Sequence, residues 1–273
     1  MDERIKSFFA KENIEYYAAL DYSAIDEINP RLNERAGLVP KSVILFLIPY
    51  YACESVNLST YAASLDYHLI IKRITGDLCA LLSEIYPEYN FVGFGDHSPI
   101  DERSAALKAG LGILGKNGLI INEKYGSYVF LADVISDIPS EFIGTSEPIG
   151  ISFCSGCGAC LEACPTGILI GEGKTCLSEI TQRKGELTAE EINLMLKCNT
   201  VWGCDVCQSV CPYNKNAKIT PIDFFKQERI DFLTSEALES MSDEDFKKRA
   251  FAWRGRKTIE RNLKYYENAI KCK

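Results

Sequence analysis

At 273 residues, 47% hydrophobic and 25% charged, the chain has the make-up of a soluble globular protein with a sizeable core and room for more than one domain. Its longest apolar run, Val43 to Ile48, is strand-sized and far short of the roughly 20 residues a membrane span needs. Met1 is followed by Asp2, Glu3 and Arg4 without a signal-peptide stretch, so a cytoplasmic protein is expected, and there twelve cysteines point to metal ligation over disulfides. Along the chain, Asp2 to Glu12 is a short predicted helix and Ser42 to Ile48 a buried strand. Thr60 to Tyr86 carries apolar residues at helical spacing and is closed by Pro87. Tyr89 to Phe94 reads as a second strand running into Gly95-Asp96, and Ile100 to Ala109 as a helix. Gly118 to Asn122 and Ser127 to Ile135 read as strands about a turn at Glu123 to Gly126. Asp137 to Ser152 has the composition of a linker, and the remainder past Asn216 is helical in pattern.

Charge is unevenly spread. Ten Lys/Arg and two Glu lie between 247 and 273, leaving 20 basic and 36 acidic groups on the other 246 residues. Such a basic end suits a polyanionic partner or, more plainly, a solvated terminal helix.

The most informative stretch is Cys154-Ser-Gly-Cys157-Gly-Ala-Cys160-Leu-Glu-Ala-Cys164-Pro165, a C-x2-C-x2-C-x3-C-P run. Three closely spaced thiolates serve one cubane, while the fourth is turned away and ligates a second. The run Cys204-Asp-Val-Cys207-Gln-Ser-Val-Cys211-Pro212 repeats the motif, with Val201 where its first cysteine would be. Ligand swapping gives cluster one Cys154, Cys157, Cys160 and Cys211. Cluster two takes Cys164, Cys204, Cys207 and one more, for which Cys176 and Cys198 both fit by spacing. A four-thiolate zinc site is the competing reading, and two C-x3-C-P endings weigh against it. Cys53 and Cys79 read as small buried hydrophobes.

Clusters carry electrons but rarely do organic chemistry alone, so the larger N-terminal part should hold an acceptor or second cofactor. Asp96 stands at the C-terminal end of a predicted strand, where catalytic groups of α/β scaffolds often lie, although a turn or N-cap role suits it equally. Glycines 110, 112 and 115 allow close backbone approach to a bulky ligand; they follow a helical pattern and so make no dinucleotide fingerprint.

These motifs together resemble the epoxyqueuosine reductase family, cobalamin-dependent enzymes that complete queuosine in tRNA. Tyr61-Ala-Ala-Ser-Leu-Asp66-Tyr67-His68 is similar to that family's R-Y-A-x-G-x-D-Y-H, and Asp96-His-Ser98-Pro99-Ile-Asp-Glu102 to its D-S-x-P-x-x-E. Ala109 to Asn117 and Gly126-Ser127 resemble its A-G-L-G-W-x-G-K-N and G-S. Lys174-Thr-Cys176-Leu-Ser and Trp202 to Gln208 resemble its cluster region, which assigns Cys176 as the eighth ligand and leaves Cys198 spare; Arg261-Asn262 resembles a late R-N pair. Ile113 and Thr60 depart from a usual Trp and Arg, no early G-x-M region is recognisable, and the family's C-terminal helical-repeat domain has no counterpart before Lys273, so a short form is expected.

The resemblance implies an α+β catalytic domain of α/β cobalamin-binding type over 1–146. It is followed by a bacterial double-cluster ferredoxin-like module over 147–220 and a basic helical segment over 221–273. It implies electrons passing from the clusters to a base-off cobalamin, with Asp96 as proton donor to the departing oxygen. Tyr61, Asp66, Tyr67, His68, Asp96, Ser98, Gly112, Gly115, Lys116, Asn117 and Ser127 would contact the cofactor. The expected partners are tRNA at the basic C-terminal segment and a flavodoxin- or ferredoxin-type donor, the chain acting as a monomer. Two other readings fit the residues: a related corrinoid and iron–sulfur reductase of a small molecule, and a non-enzymatic electron-transfer protein.

Overall fold

The computed structural model describes residues 1–271, so Cys272 and Lys273 lie outside it. By compactness the chain forms two units. One comprises Met1–Tyr50 with His68–Gly156, the other Tyr51–Tyr67 with Cys157–Lys273.

The first unit is built on a four-stranded antiparallel sheet of order β1-β2-β6-β3, with β1 Tyr17–Asp21, β2 Ser42–Pro49, β3 Phe91–Phe94 and β6 Val129–Ser136. The unbroken apolar sequence of β2 is that of a strand buried on both faces, and every one of its residues is buried. α1 (Glu3–Lys11) inserts Phe9 against one face, its ring 5.4 Å from that of Phe46. The short α2 (Pro30–Ala36) precedes β2.

α3 (Tyr67–Ile85) is shorter than the expected Thr60–Tyr86 helix, because Thr60–Ala62 forms a separate 3₁₀ turn. Its approach to the end of β3 needs a glycine, since a Cβ on Gly95 would lie 2.5 Å from the Ile71 side chain. α4 (Glu102–Lys108) is capped by Asp101, whose carboxylate accepts the N–H groups of Arg103 and Ser104. Ala105 and Ala106 of α4 join Val43, Leu45, Leu47 and Ile135 of the sheet in one apolar cluster.

The two strands expected about Glu123–Gly126 do not pair with each other. β5 (Ile120–Ile121) pairs with β4 (Ile113–Leu114), while β6 inserts between β2 and β3. The expected linker at 137–152 is held to the same unit. It contains α5 (Ser140–Ile143) with Ile143 buried, and Ser146 and Ile149 donate their N–H groups to Ala19 and Lys108 carbonyls.

The second unit gathers short helices: α6 (Ala159–Ala163), α7 (Leu177–Gln182), α8 (Ala189–Lys197), α9 (Val206–Ser209), α10 (Ser235–Ser240), α11 (Asp243–Lys247) and α12 (Arg256–Lys271). Fully buried Trp202, Phe251, Leu233, Ile259 and Leu263 make its core. Residues 51–67 belong here because their backbone is paired here. Ser59 N–H donates to the Trp202 carbonyl, Val201 N–H to Asn57, and the Asn57 amide bonds both backbone groups of Leu233. Among the described residues no helix is long and apolar enough to cross a membrane.

Candidate functional site

The cysteine-rich run occupies loops and one-turn helices, as closely spaced ligands require. α6 and α9, carrying Cys160 and Cys207, pack against each other. None of the described cysteines is in a disulfide. Burial alone would raise the Cys164 thiol, but the backbone N–H groups of Leu169, Thr166 and Ile168 and the Thr166 hydroxyl converge on it and hold it below the ordinary range. A sulfur cradled by donors in this way suits a ligand thiolate.

Cys204 behaves oppositely. Burial, reinforced by its neighbours Cys176, Cys198 and Cys207, pushes its thiol up to about 12. A partly buried thiol raised in this way ionises only beside a cation, which iron provides. Among the described residues no three His, Cys, Asp or Glu side chains converge on a point that one metal ion could fill. A cubane's ligands, by contrast, attach to separate iron corners. Cys198 stands near Cys164 and Cys204, half-buried against the Leu177–Met195 cluster, so geometry keeps it beside Cys176 as a neighbour of the second site.

Val201 is a core residue. It is fully buried, and its carbonyl accepts from the Asn262 amide, which also reaches the Thr181 carbonyl. The Arg261-Asn262 pair therefore clamps α12 to α7 and to the backbone just before Cys204. Asp205, between two predicted ligands, accepts from the Ser59 hydroxyl and the Thr60 N–H. Sequence reasoning gave neither Asn262 nor Asp205 a role, because their partners lie far along the chain.

In the first unit, Asp96 follows β3 with φ 65°, a left-handed conformation costly for a non-glycine residue. One carboxylate oxygen lies 3.4 Å from His68 Nε2, on the first turn of α3. Ser98 is buried and donates to Asp133 Oδ1 at 3.2 Å. Glu102, the first residue of α4, accepts the Asp96 backbone N–H, and burial followed by the charges of Asp133 and Asp96 pushes its carboxyl up to about 8. Asp133, wholly buried in β6, is pushed by burial to about 7 against the opposing pull of the Ser98 hydroxyl. Glu102 appears in the sequence motif without a role, and Asp133 was missed. Its one available signal was a lone carboxylate in the strand Val129–Ser136.

The other predicted contacts fall in three places. Gly112, Gly115, Lys116 and Asn117 lie along β4 and the turn into β5. A Cβ on Gly112 would come 2.7 Å from the Ile121 carbonyl, so local packing accounts for that glycine. Asn117 Oδ1 accepts the Leu119 N–H, while its Nδ2 is buried without a partner. Ser127 is buried beside β6. Tyr61, Asp66 and Tyr67 belong to the second unit; the Tyr61 hydroxyl accepts from Trp202 Nε1 at 3.2 Å, and its ring lies 6.1 Å from that of Tyr67.

At the basic end of the second unit, a cavity of about 460 Å³ is lined by Lys184, Arg254, Arg256, Lys257, Arg261 and Glu186, among others. It opens at the N-terminus of α12, whose first turn holds Arg256 and Lys257 and no acid. Cations there oppose the helix dipole; the Arg256 guanidinium offsets this by donating to the Leu238 and Met241 carbonyls and to Asp243, and it packs over the Phe246 ring. Beside it Trp253 is 59% exposed, with the Arg254 guanidinium 3.6 Å from its ring centre.

Residues 153–214 match the family described as a 4Fe-4S double cluster binding domain. An epoxyqueuosine reductase of Cyclobacterium marinum is 31% identical over 275 residues, covering 94% of this chain and 86% of the relative. The chain spans 52–58% of longer relatives of the same name from Staphylococcus aureus and Lactococcus garvieae. Among solved structures, an epoxyqueuosine reductase with an epoxyqueuosine-modified tRNA-Tyr stem loop is 25% identical with a TM-score of 0.76, over 97% of this chain and 80% of that one.

Proposed function

The chain belongs to the epoxyqueuosine reductase family, and from that membership we propose that it reduces epoxyqueuosine to queuosine in tRNA, using cobalamin and two 4Fe–4S clusters. The observation that carries this reading is Asp96, a carboxyl held on a strained turn at a strand end, paired with His68 and backed by Glu102.

Removing the epoxide oxygen as water consumes two electrons and two protons. When bound, the clusters supply single electrons drawn from an external flavodoxin- or ferredoxin-type donor, and cobalamin supplies a low-valent cobalt nucleophile. Cys154, Cys157, Cys160 and Cys211 would hold one cluster, and Cys164, Cys176, Cys204 and Cys207 the other. The N–H cradle around Cys164 suits that role. The buried, unpartnered Nδ2 of Asn117 is a donor suited to the amide carbonyls that rim a corrinoid. Lys116 and Ser127 of the same unit would add further contacts. Asp96 then gives its proton to the departing oxygen as a general acid. The basic cavity at α12, with Trp253 beside it, suits a tRNA phosphate and an adjacent base.

The test is anaerobic incubation of the reconstituted protein with epoxyqueuosine-containing tRNA, cobalamin and a reductant, followed by nucleoside mass spectrometry. Queuosine is expected, and its absence under conditions where the clusters are intact overturns the reading. Corrinoid retention on a desalting column, measured alongside, separates the outcomes. Retention without queuosine leaves a small-molecule reductase, and no retention leaves electron transfer alone.

A further inference from the structure

Asp96 poses a chemical problem for a proton donor. Its side chain is 61% exposed and stands beside an imidazole, and neither circumstance keeps a proton on a carboxyl at neutral pH. Behind it lies a second layer of acid. Glu102 holds the Asp96 backbone N–H on its carboxylate, and its Oε1 is buried without a hydrogen-bond partner. Asp133 is 0% exposed, and it too leaves one oxygen, Oδ2, buried and unpartnered. Asp133 sits between Ala132 and Val134 in β6, opposite Phe94 of β3 and Leu45 of β2. It therefore shares the sheet face that Ile135 presents to α4, the helix that begins with Glu102. Two ionised carboxylates with bare oxygens would not be tolerated there.

We propose that Glu102 and Asp133 are positioning residues that act through Asp96: Glu102 pins the strained Asp96 turn by its N–H, and the pair shares one buried proton, so that its remaining negative charge keeps the Asp96 carboxyl protonated when it acts. The inference rests on reading Asp96 as the proton donor. The groups facing the pair are Asp96 and Asp101 from the turn before α4, and Tyr22 from the segment after β1, whose hydroxyl donates to Glu27. His68 of α3 faces Asp96 and alone among these can carry positive charge.

The test uses the reconstituted holoprotein with ¹³C-labelled carboxyls, as Glu102→Gln, Asp133→Asn, Glu102→Ala and Asp96→Asn variants. Infrared spectra at pH 7 should show one buried neutral carboxyl and one buried carboxylate, both persisting in Asp96→Asn. In Asp133→Asn and Glu102→Gln the neutral carboxyl stays and the buried carboxylate is lost, which removes the pair's negative charge. In single-turnover kinetics the alkaline limb of the pH profile should move down by about one unit in both isosteric variants, a roughly tenfold loss above it, with unchanged KM for tRNA. Glu102→Ala, which also loses the N–H acceptor, should lower the rate at every pH, and Gln should restore the acidic plateau. Fully ionised Glu102 and Asp133 at pH 6, or an alkaline limb unmoved in both isosteric variants, overturns the proposal. The infrared arm needs no turnover, so it decides the fate of the pair even if tRNA proves not to be the substrate.

Discussion

An Asp133→Asn substitution should make the protein gain on the wild type in stability as pH rises, by an amount set by the burial of one carboxyl. Asp133 ionises near 3.8 in an unfolded chain and near 7 when folded. An acid raised on folding contributes its full stability below about 3.8 and loses it as pH climbs through about 7. Three units at about 1.4 kcal/mol each set the total loss at roughly 4 kcal/mol, the larger part of it between pH 5 and 8. Asparagine does not titrate. It keeps an oxygen for the Ser98 hydroxyl but leaves its own N–H groups unmet, a pH-independent cost of about 1–3 kcal/mol. Wild type has already lost part of its carboxyl's contribution by pH 5, so the variant is expected to lie within about 2 kcal/mol of it there and to exceed it by about 1–3 kcal/mol at pH 8. Because cluster loss makes bulk unfolding irreversible, amide hydrogen exchange at β2 and β6, corrected for intrinsic rates, is the suitable assay. A stability difference that stays constant from pH 5 to 8 would falsify the reasoning, since it would mean Asp133 is ionised in the folded protein.

Other consequences are equally direct. Asp96→Asn should abolish queuosine formation while leaving the cluster absorbance intact; retained turnover refutes its role as the acid. Cys176→Ser should lower iron from about eight to about four atoms per chain, whereas Cys198→Ser should keep about eight, and the reverse pattern in iron analysis would exchange the two cysteines. Asn262→Ala strips partners from two buried carbonyls and should cost about 2–4 kcal/mol, read as faster bleaching of the clusters on mild warming. Reversing Lys184 and Lys257 together to Glu should weaken tRNA binding and flatten its logarithmic salt dependence by about one to two, and an unchanged slope would place the RNA elsewhere.

What could be read beforehand follows from how local each signal is. The cysteine motifs were legible because a cubane demands ligands a few residues apart. The strand over Ser42–Ile48 was legible because full burial needs an unbroken apolar run. Strand β1 escaped notice since Tyr-Ala-Ala-Leu-Asp neither alternates nor is strongly apolar, and it is held by pairing with β2. The polar stretch 51–67 gave no hint that Asn57 and Ser59 bond residues some 140 to 180 positions later. Asp96 was visible at its strand end, but its left-handed φ and the acids beneath it depend on how Gly95 admits Ile71 and on which face of β6 meets α4. Such facts arise only from tertiary packing.

The pairing of 51–67 with Val201, Trp202 and Leu233 also sets a timetable. On the ribosome this segment emerges about 200 residues before α12, whose Leu263 and Tyr266 close the same core. At roughly 5–20 residues per second it waits some 10–40 s for its last partners. The iron-binding half of the molecule thus becomes a finished receptacle only near the end of synthesis. Delivery of metal and sulfide is then a late, largely post-translational event, and a chain truncated anywhere before α12 should leave the cell's cluster-assembly machinery nothing rigid to load.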